Sequence, residues 1–403
     1  MKKILGCAAL LATSMTASNL QAANWLMLQG TESNSSAPRA KIWGFIQPEF
    51  QSTNGTELAA GPWKGQDAAF NLIGPDLESS NTFQIRRARL GVRGTGFGLD
   101  SGVNYFLLVE AGNNGITRLG GNGAVQMTDA SVTFNYIPNA RVRVGLFKTP
   151  GSEEGLMAIH VFNYINFTNM ANQQLLERFL DEDGSRTGTD KSAANKPNGP
   201  IGAFRDIGVQ VFDTIKVDDW EHSYAAMIGN GNGISWSDND SNKDYYLYWS
   251  SELVFGGKKA RRQGWKTFAW YNAGTRTLDY ANGVAGSQEF DHDRWGIGTT
   301  YLKGKWRAAA EFTWADGMIF NGSDGGAVAG SLNNAGTSVS SLNMLPDDKA
   351  DGWYVDVGYK VLPELELDLR YDILHRGTNT KKGQRDFETL TVGAQWFFNK
   401  RHA

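Results

Sequence analysis

The most constraining feature of this chain is an alternation of period two, repeated in segment after segment. Between residues 304 and 315, Trp306, Ala308, Ala310, Phe312 and Trp314 fall on one side, and Lys305, Arg307, Glu311 and Thr313 on the other. Between 364 and 374, Leu365, Leu367, Leu369, Tyr371 and Ile373 oppose Glu366, Asp368, Arg370 and Asp372. Successive side chains of a strand point to opposite faces, so each segment reads as a strand with one apolar and one charged face. In FQIRRARLGVRG, Ala88, Leu90 and Val92 share a face, and Arg87, Arg89, Gly91 and Arg93 share the opposite one. Near the end, Leu390, Val392, Ala394, Trp396 and Phe398 form a further apolar row.

Fourteen such segments are read directly: 41–50, 82–95, 101–111, 127–136, 140–148, 203–213, 220–229, 244–255, 264–273, 292–302, 304–315, 352–361, 364–374 and 386–398. Their connections alternate between long (51–81, 112–126, 149–202) and short (96–100, Pro138–Asn139, Leu362–Pro363). Transmembrane barrels have short periplasmic turns and long outer loops, whereas a soluble sandwich has no reason for this alternation. Aromatic residues stand at the ends of the apolar rows, where an interfacial girdle would lie. The expected fold is therefore all-β: a transmembrane antiparallel β-barrel whose charged faces enclose water.

Composition agrees. The chain has 48 glycines, 13 tryptophans, 13 tyrosines and 21 phenylalanines, with only 41% hydrophobic residues. No segment has the roughly 18 uninterrupted apolar residues of a spanning helix. The first 22 residues, MKKILGCAALLATSMTASNLQA, have the layout of a secretory signal peptide cut after Ala22. Residues 23–40 are expected as a periplasmic N-terminal segment, and 41–403 as the barrel with one long loop at 149–202. Loss of the signal peptide removes Cys7, the only cysteine, so the mature chain has no disulfide and no thiolate metal site. It also moves the formal charge from −3 to about −5, which argues against nucleic-acid binding.

Two motifs suggest other chemistry. DNDSNKD at 238–244 places Asp238, Asp240, Asn242 and Asp244 at alternate positions, as in a calcium loop, but Lys243 replaces the required glycine and Trp249 the bidentate glutamate. A polar outer loop is the expectation there, with no metal and no cofactor. Asp291, His292 and Asp293 contain the parts of a hydrolase dyad, yet neighbours on a strand point to opposite faces and no serine nucleophile motif accompanies them. No catalytic residue is assigned.

IRRARLGVRG at 85–94, VRVGLFKTPGSEEGL at 142–156, RDIGVQV at 205–211, NGNG at 230–233 and TVGAQWFF at 391–398 resemble the phosphate-selective porin O and P family of bacterial outer-membrane channels. The resemblance implies a bacterial outer-membrane location, a barrel of about 16 strands and assembly as a homotrimer. The two strands beyond fourteen would lie within 149–202, where Met157–Phe167 alternates. It also implies a porin for passive diffusion of small hydrophilic solutes, including anions such as phosphate, in contact with outer-membrane lipid and lipopolysaccharide. An arginine ladder of the family is matched in part, and its constriction lysines are not placed.

By strand parity, Arg87, Arg89, Arg93, Arg141, Arg143, Arg294, Lys305, Arg307 and Arg370 are the expected pore-lining cations. Glu110, Asp129, Glu311, Asp356, Glu366, Asp368 and Asp372 share their face. Such a lining could be a salt-bridged wall or a cationic stripe facing acids, which would favour anions. Two other readings are an outer-membrane barrel enzyme and a structural sleeve for a periplasmic electron-transfer cytochrome. The apolar character of 155–180 favours folding of the 149–202 loop into the lumen.

Overall fold

The computed structural model describes residues 24–27, 31, 39–53, 80–96, 98, 100–112, 125–177, 203–234, 238, 240–256, 262–281, 284–320, 344–380 and 384–398. The expected signal peptide and the 178–202 part of the long loop lie outside them.

Eighteen strands run in chain order: β1 (Lys41–Thr53), β2 (Ser80–Thr95), β3 (Val103–Glu110), β4 (Gln126–Phe134), β5 (Arg141–Lys148), β6 (Arg205–Val217), β7 (Trp220–Gly229), β8 (Asp244–Gly256), β9 (Gln263–Ala273), β10 (Thr275–Ala281), β11 (Val284–Asp291), β12 (Asp293–Lys303), β13 (Trp306–Asp316), β14 (Ile319–Phe320), β15 (Met344–Leu345), β16 (Lys349–Leu362), β17 (Leu365–Arg376) and β18 (Arg385–Trp396). Fourteen form one antiparallel sheet, in the order β1 to β9, then β12, β13, β16, β17 and β18. These are the fourteen segments read from the alternation. The pairs β10–β11 and β14–β15 extend two of the hairpins beyond the sheet on the long-loop side. The sheet is of the transmembrane β-barrel class, with β1 and β18 as its two edges among the described residues.

The extra strand pair expected within 149–202 is absent from the described part, 149–177. There the chain makes short helical turns at Glu153–Leu156, Ile159–Val161 and Ala171–Leu175. Its apolar residues pack on the inner face of the sheet, so the alternation at Met157–Phe167 does not report a ladder.

Outward faces are apolar as expected. Ile42, Ile46, Leu90, Leu247, Ile297, Leu369, Leu390 and Val392 are all exposed. Aromatic residues bracket this band. Trp265 and Tyr271 bound it on β9, Tyr301 and Trp295 on β12, and Trp306 and Trp314 on β13. At about 3.4 Å per residue, those spacings run roughly 20 to 27 Å along the strand, which the ~35–45° tilt of barrel strands projects to roughly 14 to 22 Å, within the ~25 Å lipid-facing band of an outer-membrane barrel. At the short turns, Asn139 (φ 59°) and Gly304 (φ 60°) adopt the left-handed conformation that tight reversals need.

Among the described residues, two segments occupy the inner side. Trp25 and Leu26, part of the stretch expected to lie in the periplasm, are buried with Leu156 against Phe212, Ala225, Tyr248, Phe268 and Trp270. Asn24 Nδ2 donates to Thr214 Oγ1 (2.8 Å) and Ser223 Oγ (2.7 Å), fixing that end to β6 and β7. The second segment, 150–177, is tied to strands of both halves of the sheet, from β2 and β5 to β9, β13 and β17.

Candidate functional site

The inner face is densely charged, and its geometry begins with a local irregularity in β2. Gln47 pairs with Arg87, but the next residue of β1, Pro48, pairs with Ile85. Arg86 is the extra residue of a β-bulge, which re-aims one side chain. Phe83 and Ile85 therefore face outward in phase with Leu90, while Arg86 joins Arg87 and Arg89 on the inner face. Arg86 was not among the cations expected from parity. The signal that reveals it is the phase change of the apolar residues, odd-numbered at 83 and 85 and even-numbered at 88, 90 and 92.

Each arginine of this run has a different partner. Arg86 Nη1 donates to Glu49 (2.5 Å) and its Nη2 to Asn166 Oδ1 (3.0 Å). Arg89 is paired with Glu110 at 2.6 Å. Arg87, between them, donates to the neutral amide of Gln47 (3.0 Å), and its Nε has no acceptor. Further along the wall, Arg205 forms a fork on Asp129 (3.1 and 2.9 Å), and Lys148 donates to the carbonyl of Met157 (2.7 Å). Arg141 pairs with Asp213 at 2.9 Å, while Arg143 lies 4.2 Å from the Phe212 ring centroid and 5.4 Å from that of Phe147. Arg93 is half-buried on the same face.

On the other wall, Arg307 holds three carboxylates: Asp356, Glu366 (3.0 Å) and Asp368 (2.6 Å). Arg370 meets Glu154 (3.2 Å) and the carbonyl of Asn166 (3.0 Å). Arg294 is saturated by main-chain carbonyls, those of Gln174, Asp293, Gly317 and Met318 among them, and so anchors backbone rather than solute. Lys305 corrects the expectation. It lies in the β12–β13 turn, before Trp306 opens β13, and is exposed with its ammonium 5.8 Å from the Tyr359 ring centroid. The strand read as 304–315 begins two residues later, so parity did not apply to it. The expected acids Glu110, Asp129, Glu311, Asp356, Glu366, Asp368 and Asp372 are all buried on the inner side.

The 150–177 segment is held by these groups. Ser152 Oγ donates to Glu311 (3.1 Å), which also accepts from Trp270 Nε1 (2.8 Å). Glu153 receives two bonds of 2.6 Å from Lys266. Asn169 donates to Asp372 (2.8 Å) and Thr389 (2.7 Å), and Glu177 accepts from Arg276 (2.7 Å). Glu154 lies on this segment, not on a strand, and burial pushes its carboxyl up to about 7 against the pull of Arg370 and the Thr168 hydrogen bonds. Burial likewise raises the Tyr164 hydroxyl, whose ring lies 4.3 Å from the Arg370 guanidinium.

The two motifs of other chemistry have local roles. Lys243 donates to Asp238 (2.5 Å), Asp240 accepts from Thr277 (3.0 Å), and no metal-holding cluster of His, Cys, Asp or Glu occurs among the described residues. His292 is buried beside Arg276 (3.3 Å) and is not oriented by Asp291 or Asp293.

An antiparallel sheet with an aromatic-bracketed apolar outside, a charged inside and an inward-folded segment defines an outer-membrane β-barrel channel of the porin class. Residues 65–197, about a third of the chain, match the model of the family Phosphate-selective porin O and P, the family its motifs resemble. The chain is located in the bacterial outer membrane. Among solved structures, the outer membrane channel DcaP of Acinetobacter baumannii aligns at 14% identity and TM-score 0.45, over 92% of this chain and 89% of that one. Salmonella typhi OmpF, in complex with daunomycin, aligns at 14% and 0.48 over 90% and 86%. An anion-selective porin from Comamonas acidovorans aligns at 12% and 0.40 over 90% and 99%. Comparison with curated proteins gives no match.

Proposed function

We propose that this porin passes small hydrophilic solutes by passive diffusion with a preference for anions, as a homotrimer, and carries out no catalysis. The observation that carries the reading is the partition of charge between two walls. Strands β1 to β6 place Arg86, Arg87, Arg89, Arg93, Arg141, Arg143, Lys148 and Arg205 against Glu49, Glu110, Asp129, Asp206 and Asp213. Strands β13 to β17 place Glu311, Asp356, Glu366, Asp368 and Asp372 against Arg307, Arg370 and Arg376. A cationic wall facing an acidic one sets up a field across the path, and guanidinium groups offer several donors to a passing carboxylate or phosphate. The same arginines turned to lipid would each cost about 2 to 4 kcal/mol at the midplane, so a watery lumen is the environment that tolerates them. Support for the trimer is the family resemblance, and cross-linking in native membranes tests it.

The test of selectivity is the reversal potential across a potassium chloride gradient in planar bilayers. Replacement of Arg87, Arg89 and Arg93 together by glutamine leaves a heat-modifiable barrel and lowers the chloride-to-potassium permeability ratio, read at low salt where bulk screening is weakest. An unchanged reversal potential at low salt would make these arginines wall structure only.

A further inference from the structure

Below the arginine run, the inner face of β1 turns aromatic. Trp43 and Phe45 project inward with ring centroids 6.4 Å apart, Trp43 stacks on Phe106 of β3 at 6.1 Å, and His160 of the inner segment meets Phe45 at 5.3 Å and Trp43 at 6.0 Å. Trp43, Phe45 and His160 are half-buried, so these rings keep open surface. Gly91 is what lets the indole lie flat: a Cβ there would stand 2.8 Å from Trp43 Nε1. The rings and the arginines share one register. Phe45 lies opposite Arg89, whose guanidinium is 5.8 Å from its ring centroid, and Gln47, two residues on, lies opposite Arg87. Two residues along a strand is about 7 Å, the length of a benzene ring with one carboxylate attached. Arg86 and Arg89 have their own carboxylates, Glu49 and Glu110, whereas Arg87 has none among the described residues; it is buried, and its Nε, like that of Arg86, has no acceptor.

Resting on the anion-channel reading above, we propose that this wall is a subsite for aromatic monocarboxylates, with the carboxylate on Arg87 and the ring on Phe45, His160 and Trp43. A planar guanidinium takes a carboxylate in a two-pronged contact, while offset or edge contacts between rings select flat π-systems over saturated ones. Phosphate uses only the first half of the subsite.

The experiment compares sodium benzoate with sodium cyclohexanecarboxylate, which has the same charge and nearly the same size but no π-face, by bi-ionic reversal potentials of the mature protein in planar bilayers. Benzoate is expected to be about two- to tenfold more permeant, the range set by aromatic pair contacts. Phe45→Leu, which keeps apolar volume, should bring the ratio close to one, and Arg87→Gln should lower both carboxylates relative to sodium. His160→Leu, away from the strand ladder, gives the same loss as Phe45→Leu and covers the case in which the strand variant fails to fold. Equal permeability of the two acids in the native channel, or a ratio untouched by both ring substitutions, overturns the subsite. If chloride preference persists in that result, the channel reading stands. A native channel with no anion preference removes both.

Discussion

Lys266 and Glu153 are joined by two hydrogen bonds of 2.6 Å, and their side chains are 5% and 4% exposed. Lys266→Met keeps the length of the side chain and removes its charge, leaving the Glu153 carboxylate buried without its cation. Removing one partner of a buried pair costs about 3 to 5 kcal/mol. The ladder of β9 is main-chain bonding and is unaffected, so the penalty falls on the inner segment. Opposing it are the buried Leu156, Phe167, Met170 and Leu176, each contributing about 1.5 to 3 kcal/mol. Three of these lie at or beyond residue 167, so the far half of the segment stays docked while the end around 152–157 loosens. Expected are a barrel that still shows heat-modifiable migration, new protease cleavage near Glu153, and larger, noisier single-channel conductance. Glu153→Gln in the same background removes the stranded charge and should restore much of the native pattern. A Lys266→Met channel with native conductance and native protease resistance, or a double variant no better than the single, would refute the role of this pair as a tether.

The Glu154 carboxyl, raised from 4.5 to about 7, binds its proton more tightly when the segment is docked. Its contribution, about 3 kcal/mol, is fully present below the ordinary pKa near 4.5 and is lost as pH rises through about 7, so proteolysis within 150–177 should be faster at pH 8 than at pH 5, and Glu154→Gln should flatten that dependence. Trp25→Ala with Leu26→Ala takes two buried side chains from the cluster on β6 to β9 and should raise conductance without altering heat-modifiable migration; unchanged conductance would show that the N-terminal residues do not narrow the path.

The strands were legible because lipid on one side and water on the other leave a period-two mark that tolerates few exceptions. Their ends were less so, as Lys305 shows: a charged residue at a turn continues the alternation by chance. Arg86 was hidden because a bulge breaks the period at one residue, and only the outward residues on both sides of it record the shift. The 150–177 segment kept enough alternation to resemble a strand, though its apolar side chains answer to the inner face of the sheet. Partners such as Lys266 for Glu153, 113 residues apart, leave no trace in either neighbourhood. The β10–β11 hairpin, Thr275–Ala281 and Val284–Asp291, was not read from the alternation because TRTLDYA and VAGSQEFD carry no sustained apolar row.

Asn24 bonds to Thr214 and Ser223, 190 and 199 residues further along the chain. Contacts of such separation form only after the loops they close have lost their freedom. The residues just behind the expected cleavage point are among the first to reach the periplasm, and they have no surface to rest on until β6 and β7 have paired. Their seat is on the inner face of those strands, so an end of the chain that is exported early finds its place late, and the order of export and the order of assembly are opposed there.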